Sequence, residues 1–417
     1  MNDIYFVIKK NKISVILVYS LVVSFCYILP LIKYSIPYIP LAIMLLASYF
    51  FTVRNWSIDK KTIFPIIVSS LSLGIMSFWV MRQGNISESI NETVRSLRFF
   101  APYILYLTMF EVSDKNKRIK NMRIYTVFIS CLIIYIMFQT LNALKENAMI
   151  ARILAMGVLN SDMSQFRLQN VGGFEFSYSV GFVAVFLWYI FLTGKNIKFR
   201  YFAILGYFFI IYFIFKTQYM TLLLLTVTAS IILWYCISSK GLSRFIAAFG
   251  CLFFILMLPT LFHYLGTRTN VEESVLIAKF MQLSEFFSGK ELDVLGSRPR
   301  LYANAFRNFM NSPIWGNITE KNGVVLAGMA TNHSTLLGYL QGMGIIGGGL
   351  FYFPIYLVMK RIRLTFRHFE DSVKVLWSII CMMFIILSIL NPIQYCFEIC
   401  FIVFLYIPCV IQSIKES

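Results

Sequence analysis

Apolar residues run in long blocks along this chain, and short polar breaks separate them. A helix crossing the roughly 30 Å hydrocarbon core of a bilayer needs about 20 apolar residues. Blocks of that kind lie at about 13–31, 36–53, 62–81, 98–111, 122–142, 175–193, 200–215, 219–237, 245–265, 332–358, 373–390 and 393–413. They predict an all-α bundle of about twelve transmembrane helices. The fourth is short and holds Pro102. The first has no small-residue cleavage site and further spans follow it, so it reads as a retained helix and not a signal peptide. Tyr201 to Trp234 is almost continuously apolar, and Lys216-Thr217-Gln218 is the polar break where a tight turn must fall.

Composition agrees with this class. Of 417 residues, 59% are hydrophobic and 13% charged, and the mean hydropathy is +0.73. Soluble domains carry about 25% charged residues, so lipid must solvate the apolar excess. The net charge is +18. Its cations cluster in short alternate loops: Lys9, Lys10 and Lys12; Arg54, Lys60 and Lys61; Lys115 to Arg123; Lys195, Lys198 and Arg200; Lys240 and Arg244; and Lys360 to Lys374. That alternation is the positive-inside pattern, and it predicts a multi-pass protein with both termini in the cytoplasm. No basic stripe with interleaved aromatics occurs in a soluble segment, so nucleic acid is not an expected partner. All eight cysteines fall in predicted spans, and no Cys/His spacing suits a metal. Neither a disulfide, a metal nor another cofactor is expected.

Three loops on the opposite face are long: about 82–97, 143–174 and 266–331. The last divides the chain into a membrane bundle (1–265), a large external loop (266–331) and C-terminal membrane helices (332–417). Within it, "GSRPRLYANAFRNFMNSPIWGN" begins at Gly296. Ser297 suits an N-cap and Pro299 a first turn, and Asn311-Ser312-Pro313 ends the helix. Leu301, Tyr302, Ala305, Phe306, Phe309 and Met310 form one face; Arg300, Asn304 and Arg307 form the other. Such a helix suits the membrane interface, with Arg298, Arg300 and Arg307 either snorkelling to water or binding a lipid phosphate. Guanidinium suits a diphosphate because its planar fork binds two oxygens and keeps its charge.

Asn332-His333 follows at the lip of the tenth span. Imidazole titrates near neutrality, so His333 can serve as a base at the membrane face or simply cap the helix. His263 and His368 read as an interfacial anchor and a solvated loop residue. Gly338 and Gly342, and Gly344 and Gly348, make small-xxx-small pairs that let helices pack closely. Glu398 in the last span needs a partner or a wet cavity. With Glu175 at the outer end of the sixth span, Arg95 and Arg98 before the fourth, and Lys216 in its turn, it predicts a cation-rich, outward-facing cleft.

Together these features resemble the bacterial O-antigen polymerase and O-antigen ligase superfamily. The residues that carry the resemblance are Ser297-Arg298, Tyr302, Pro313 to Gly316, Asn332-His333 and "LLGYLQGMGIIGG", Leu336 to Gly348. Outside 297–350 it rests on span count and layout. It implies a GT-C-type membrane glycosyltransferase. Such an enzyme uses undecaprenyl-diphosphate-linked glycans at the outer face of the bacterial inner membrane, without metal or nucleotide sugar. Arg298 would stabilise the leaving diphosphate, and His333 would act as base or phosphate contact. Arg300, Arg307, Asn332, Lys216, Glu398, Glu175, Arg95 and Arg98 are the expected substrate-binding set. One departure concerns an arginine that the family often carries just before the eighth span. Tyr219 stands there in "FKTQYMTLLL", and Lys216 is the nearest cation, without the bidentate fork.

Polymerisation of lipid-linked repeat units into O-antigen or a related surface polysaccharide is the leading expectation, with membrane lipids and a chain-length regulator as candidate partners. The ligase alternative moves the finished glycan to lipid A core. The alternative from another class is a lipid-linked oligosaccharide flippase. It would call for paired repeats and interrupted helices, and no repeat is visible in the sequence.

Overall fold

In the computed structural model, the described residues are, apart from a few single positions, 5–8, 11–35, 60–80, 86–110, 114–147, 149–154, 169–238, 298–316 and 334–415. The expected spans 36–53 and 245–265, His263 and most of the 266–331 loop lie outside them. The described chain is helical apart from one antiparallel hairpin, β1 (Tyr5–Ile8) with β2 (Asn11–Ser14). The helices are α1 (Val15–Ile28), α2 (Pro30–Ser35), α3 (Lys60–Val80), α4 (Ile86–Phe110), α5 (Lys115–Glu146) and α6 (Ile150–Ile153). They continue with α7 (Phe174–Thr193), α8 (Ile197–Lys216), α9 (Met220–Ile237), α10 (Arg298–Asn311), α11 (Thr335–Thr365) and α12 (Asp371–Leu390). The last span is a 3₁₀ turn (Ile393–Tyr395), α13 (Phe397–Phe401), a π turn (Ile402–Tyr406) and α14 (Ile407–Lys415). Eight stretches of the described residues are long and apolar enough to cross a membrane. The protein is therefore a polytopic helical membrane protein.

The chain forms two compact units: Met1–Val183 with Gly347–Val373 and Ile393–Ser417, and Ala184–Ile346 with Lys374–Pro392. In the first, α3 and α4 pair along their length. Ser70 and Ser96 hydroxyls meet at 2.9 Å, and the Ser89 hydroxyl donates to the Gly74 carbonyl. A Cβ on Gly74 would stand 2.9 Å from the Ser89 carbonyl oxygen, so only glycine admits this approach. The expected fourth span, 98–111, is only the second half of α4, which starts at Ile86. Protein, not lipid, surrounds that half: Phe99 to Leu107 are buried without exception. The last span is also almost wholly enclosed by protein. Phe99 and Phe404 rings lie 6.2 Å apart, Tyr27 stacks on Phe401, and Ser130 meets the Tyr406 hydroxyl at 2.7 Å. The expected loop 143–174 builds a small core of its own from Ala143, Ile150, Leu154 and Val171.

In the second unit, α8 and α9 form the expected hairpin. Its turn is Thr217–Gln218, with Gln218 at φ 61°. Trp188 lies 4.9 Å from the Tyr207 ring and 6.4 Å from that of Trp234, tying the end of α7 to both helices. The helix α10 begins and ends where its caps predict, but its apolar face divides. Ala305 is buried, whereas Phe306 and Met310 are more than half exposed, as are Ile314 and Trp315.

A correction concerns the glycines of α11. Gly344 is not a packing surface inside a straight helix: it breaks the helix, at φ 63° and ψ −162°. The turn after α10 enters that break. Ile345 N–H donates to the Pro313 carbonyl at 2.8 Å, and Ile346 N–H to that of Ile314 at 3.4 Å. Gly316, at φ 73°, passes so close to Gly342 that a Cβ on it would be 2.5 Å from backbone.

Candidate functional site

Charged side chains come together in the first unit, around the start of the last span. The 3₁₀ turn delays the helix, so Glu398 stands in the first turn of α13, at a span end and not within it. The Lys33 ammonium, on α2, donates to Glu398 Oε1 at 2.7 Å and also to Glu175 Oε2 at the start of α7. Lys33 and Glu398 side chains are 7% and 6% exposed, Glu175 24%, so the cluster opens on the Glu175 side. Burying such charges is costly unless each is paired. Here one ammonium serves two carboxylates.

Arg98 is buried beside this cluster. Its guanidinium lies 4.1 Å from the Phe397 ring centroid and 5.6 Å from that of Tyr27. The Tyr27 hydroxyl donates to the Arg98 carbonyl at 2.6 Å, fixing that turn of α4. Arg95, three residues earlier, pairs with Glu92 and lies over Tyr395 at 4.8 Å. Four of the expected site residues (Glu175, Glu398, Arg95 and Arg98) thus surround one span end. A cavity of about 70 Å³ adjoins the two glutamates, lined by Pro30, Leu154, Gly173, Phe174, Glu175, Phe176 and Glu398.

Lys33 was missing from the expected set. It is the only charged residue between Lys12 and Arg54, as Glu175 is between Arg167 and Lys195, and Glu398 between Lys374 and Lys415. Three solitary charges in apolar stretches, a lysine and two glutamates of opposite sign to it, are the signal that pairs them.

The second unit holds the other expected residues. Here α10 begins at Arg298, with Arg300 in its first turn and Arg307 exposed. Asn332 and His333 lie outside the described residues. Ser334 caps α11, its hydroxyl accepting from the Leu337 N–H at 3.2 Å. Both helix starts hang from one place, the end of α12. The Tyr302 hydroxyl donates to the Leu390 carbonyl at 3.3 Å. Thr335 donates its N–H and its hydroxyl to the next carbonyl, Asn391, at 3.2 and 3.1 Å. Lys216 is exposed at the end of α8, 5.7 Å from the Tyr212 ring, and Tyr219 is buried. Among the described residues no group of histidine, cysteine or acidic side chains has the makings of a metal site. Comparison of the sequence with protein-family models gives no match, and comparison with curated proteins gives none either.

Proposed function

We propose that the protein is a GT-C-like glycosyltransferase of about twelve spans in the bacterial inner membrane, polymerising undecaprenyl-diphosphate-linked oligosaccharide repeats into a surface polysaccharide. One observation carries the reading. The helix that begins at Arg298 and the helix that begins two residues after His333 are both anchored on Leu390–Asn391. The two parts of the resembling motif, on separate helices, share one support. The clasp of Pro313–Gly316 on Gly342–Ile346 ties them a second time.

In the reaction proposed, an acceptor hydroxyl on the incoming lipid-linked repeat attacks the anomeric carbon of the growing glycan. The bond from that carbon to the diphosphate breaks, and a glycosidic bond forms. Undecaprenyl diphosphate leaves with the bonding electron pair, stabilised by Arg298 with Arg300 and Arg307 nearby in sequence. His333 takes the hydroxyl proton; in the alternative it holds a phosphate, and the proton leaves on the departing diphosphate. Both substrates are amphipathic, so outward-facing loops above a bundle suit them. A chain-length regulator is the protein partner this reading calls for.

A flippase is a second reading, and the broken helix α11 favours it, because interrupted helices often line transport paths. At this break, however, the N–H groups of Ile345 and Ile346 are taken by Pro313 and Ile314 carbonyls, which leaves neither for a substrate.

Membranes supplied with defined lipid-linked repeat units test the proposal. A ladder of glycan lengths formed without lipid A core supports polymerase; transfer only when core is present supports ligase; neither product removes both. Arg298→Ala and His333→Ala are each expected to abolish elongation at normal protein levels, with His263→Ala and His368→Ala mild. Long chains from both of the first two variants would overturn the site assignment.

A further inference from the structure

We propose that the cavity beside Glu398 and Glu175 is a subsite for the hydroxylated edge of one sugar ring of the glycan. The inference rests on the glycan-transfer reading for the identity of the ligand, and on the cavity's own chemistry for its type.

Glu398 Oε2 is buried, and among the described residues no N–H or O–H reaches it. The oxygen beside it, Oε1, is held by Lys33, so the carboxylate is fixed in orientation with one acceptor edge unused. A buried acceptor without a donor is costly, and a ligand that supplies the donor recovers that cost. The ligand's charge follows from the neighbours. Glu175 and Glu398 are balanced by Lys33 and by Arg98, which acts on Glu175 through space. A cation would meet Lys33 and Arg98, and an anion would meet Glu175 and Glu398, whose carboxyl groups also hydrogen-bond to one another. A neutral hydroxyl fits.

The walls agree. Phe174, Phe176, Pro30 and Leu154 are apolar, and Glu175 and Glu398 complete the lining with Gly173. Sugar rings present C–H faces to such surfaces and hydroxyls to such acceptors. At roughly 10–15 Å³ for each water-sized probe, about 70 Å³ admits a few hydroxyl-sized groups. That is one edge of a ring and not a whole oligosaccharide. Glycine at 173 leaves the wall open beside Leu154, whose Cβ would be 3.6 Å from an added methyl.

The test uses the full chain in nanodiscs free of glycolipid, with three probes in separate titrations. They are the repeat-unit oligosaccharide released from its lipid by mild acid, sugar-free undecaprenyl diphosphate, and monoglucosyl diacylglycerol in the disc. Glu398→Gln should weaken binding of the released oligosaccharide by about tenfold or more and leave undecaprenyl diphosphate binding as in wild type. Leu154→Trp fills the cavity from its neutral wall, should act likewise, and carries the test if Glu398→Gln does not fold. Wild-type protein that binds no oligosaccharide overturns the proposal. So does Leu154→Trp protein that binds it in full, or a response confined to the glycolipid. Leu154-dependent oligosaccharide binding by a protein that makes no ladder keeps the subsite and removes the polymerase reading; a ladder without such binding does the reverse.

Discussion

Gly344→Ala is expected to destabilise the protein by about 3 kcal/mol, seen as a fall of several degrees in the unfolding midpoint at fixed scan rate in detergent. Two costs add. At φ 63° and ψ −162° the backbone occupies a region that is essentially reserved for glycine. A Cβ there would also stand 2.2 Å from the Ile314 carbonyl oxygen, and backbone cannot move aside as a flexible side chain can. Alanine favours the continuous helix, so the variant should straighten α11 and expel the Pro313–Gly316 turn. Protease sensitivity around that turn should rise. Gly349→Ala is the control: it lies on the same helix with nothing within 4 Å of an added methyl. It should be neutral, or stabilising by up to about 1 kcal/mol. Equal midpoints for wild type and Gly344→Ala would show that the break is not part of the folded state.

Lys33→Met should cost about 3–5 kcal/mol, the usual penalty for removing one member of a buried ionic group. Methionine keeps most of the side-chain volume, so lost packing is a small part of the effect. What is left is Glu175 and Glu398 facing one another without the ammonium that joined them. The triple variant Lys33→Met/Glu175→Gln/Glu398→Gln should recover much of the loss, because the uncompensated charge goes with its partners. If the triple variant were no more stable than Lys33→Met, Lys33 would be acting through its aliphatic stem and not its charge. Thermal unfolding of the three proteins side by side decides between these accounts.

Where a span is apolar throughout, sequence reading succeeded. The limits 175–193 and 373–390 differ from α7 and α12 by no more than a couple of residues, and the α8–α9 turn falls at the one polar break. It failed where protein buries polar residues. Hydropathy scores transfer to hydrocarbon, yet Glu92, Ser96 and Arg98 of α4 are buried against other helices, so the first half of α4 read as loop. Small-residue spacing located Gly344 but not its conformation. Gly338, Gly342, Gly344 and Gly348 look alike until the partner turn, far back in the chain, is known. The candidate site was half legible. Glu175, Glu398, Arg95 and Arg98 stood out as charges in apolar surroundings, whereas Lys33 lies 365 positions from Glu398 and nothing local announces that pairing.

The clasp on α11 makes the same two amides available to rival acceptors. In an unbroken helix the N–H groups of Ile345 and Ile346 would bond to the carbonyls of Gln341 and Gly342. Here they bond to Pro313 and Ile314. Releasing the turn therefore leaves no amide stranded: each simply exchanges one carbonyl for another, and the number of hydrogen bonds is conserved. The straight and the broken helix then differ chiefly in what the inserted turn contributes through contact. Whether α11 is one helix or two then turns on the contacts of Pro313–Gly316 and not on a count of hydrogen bonds.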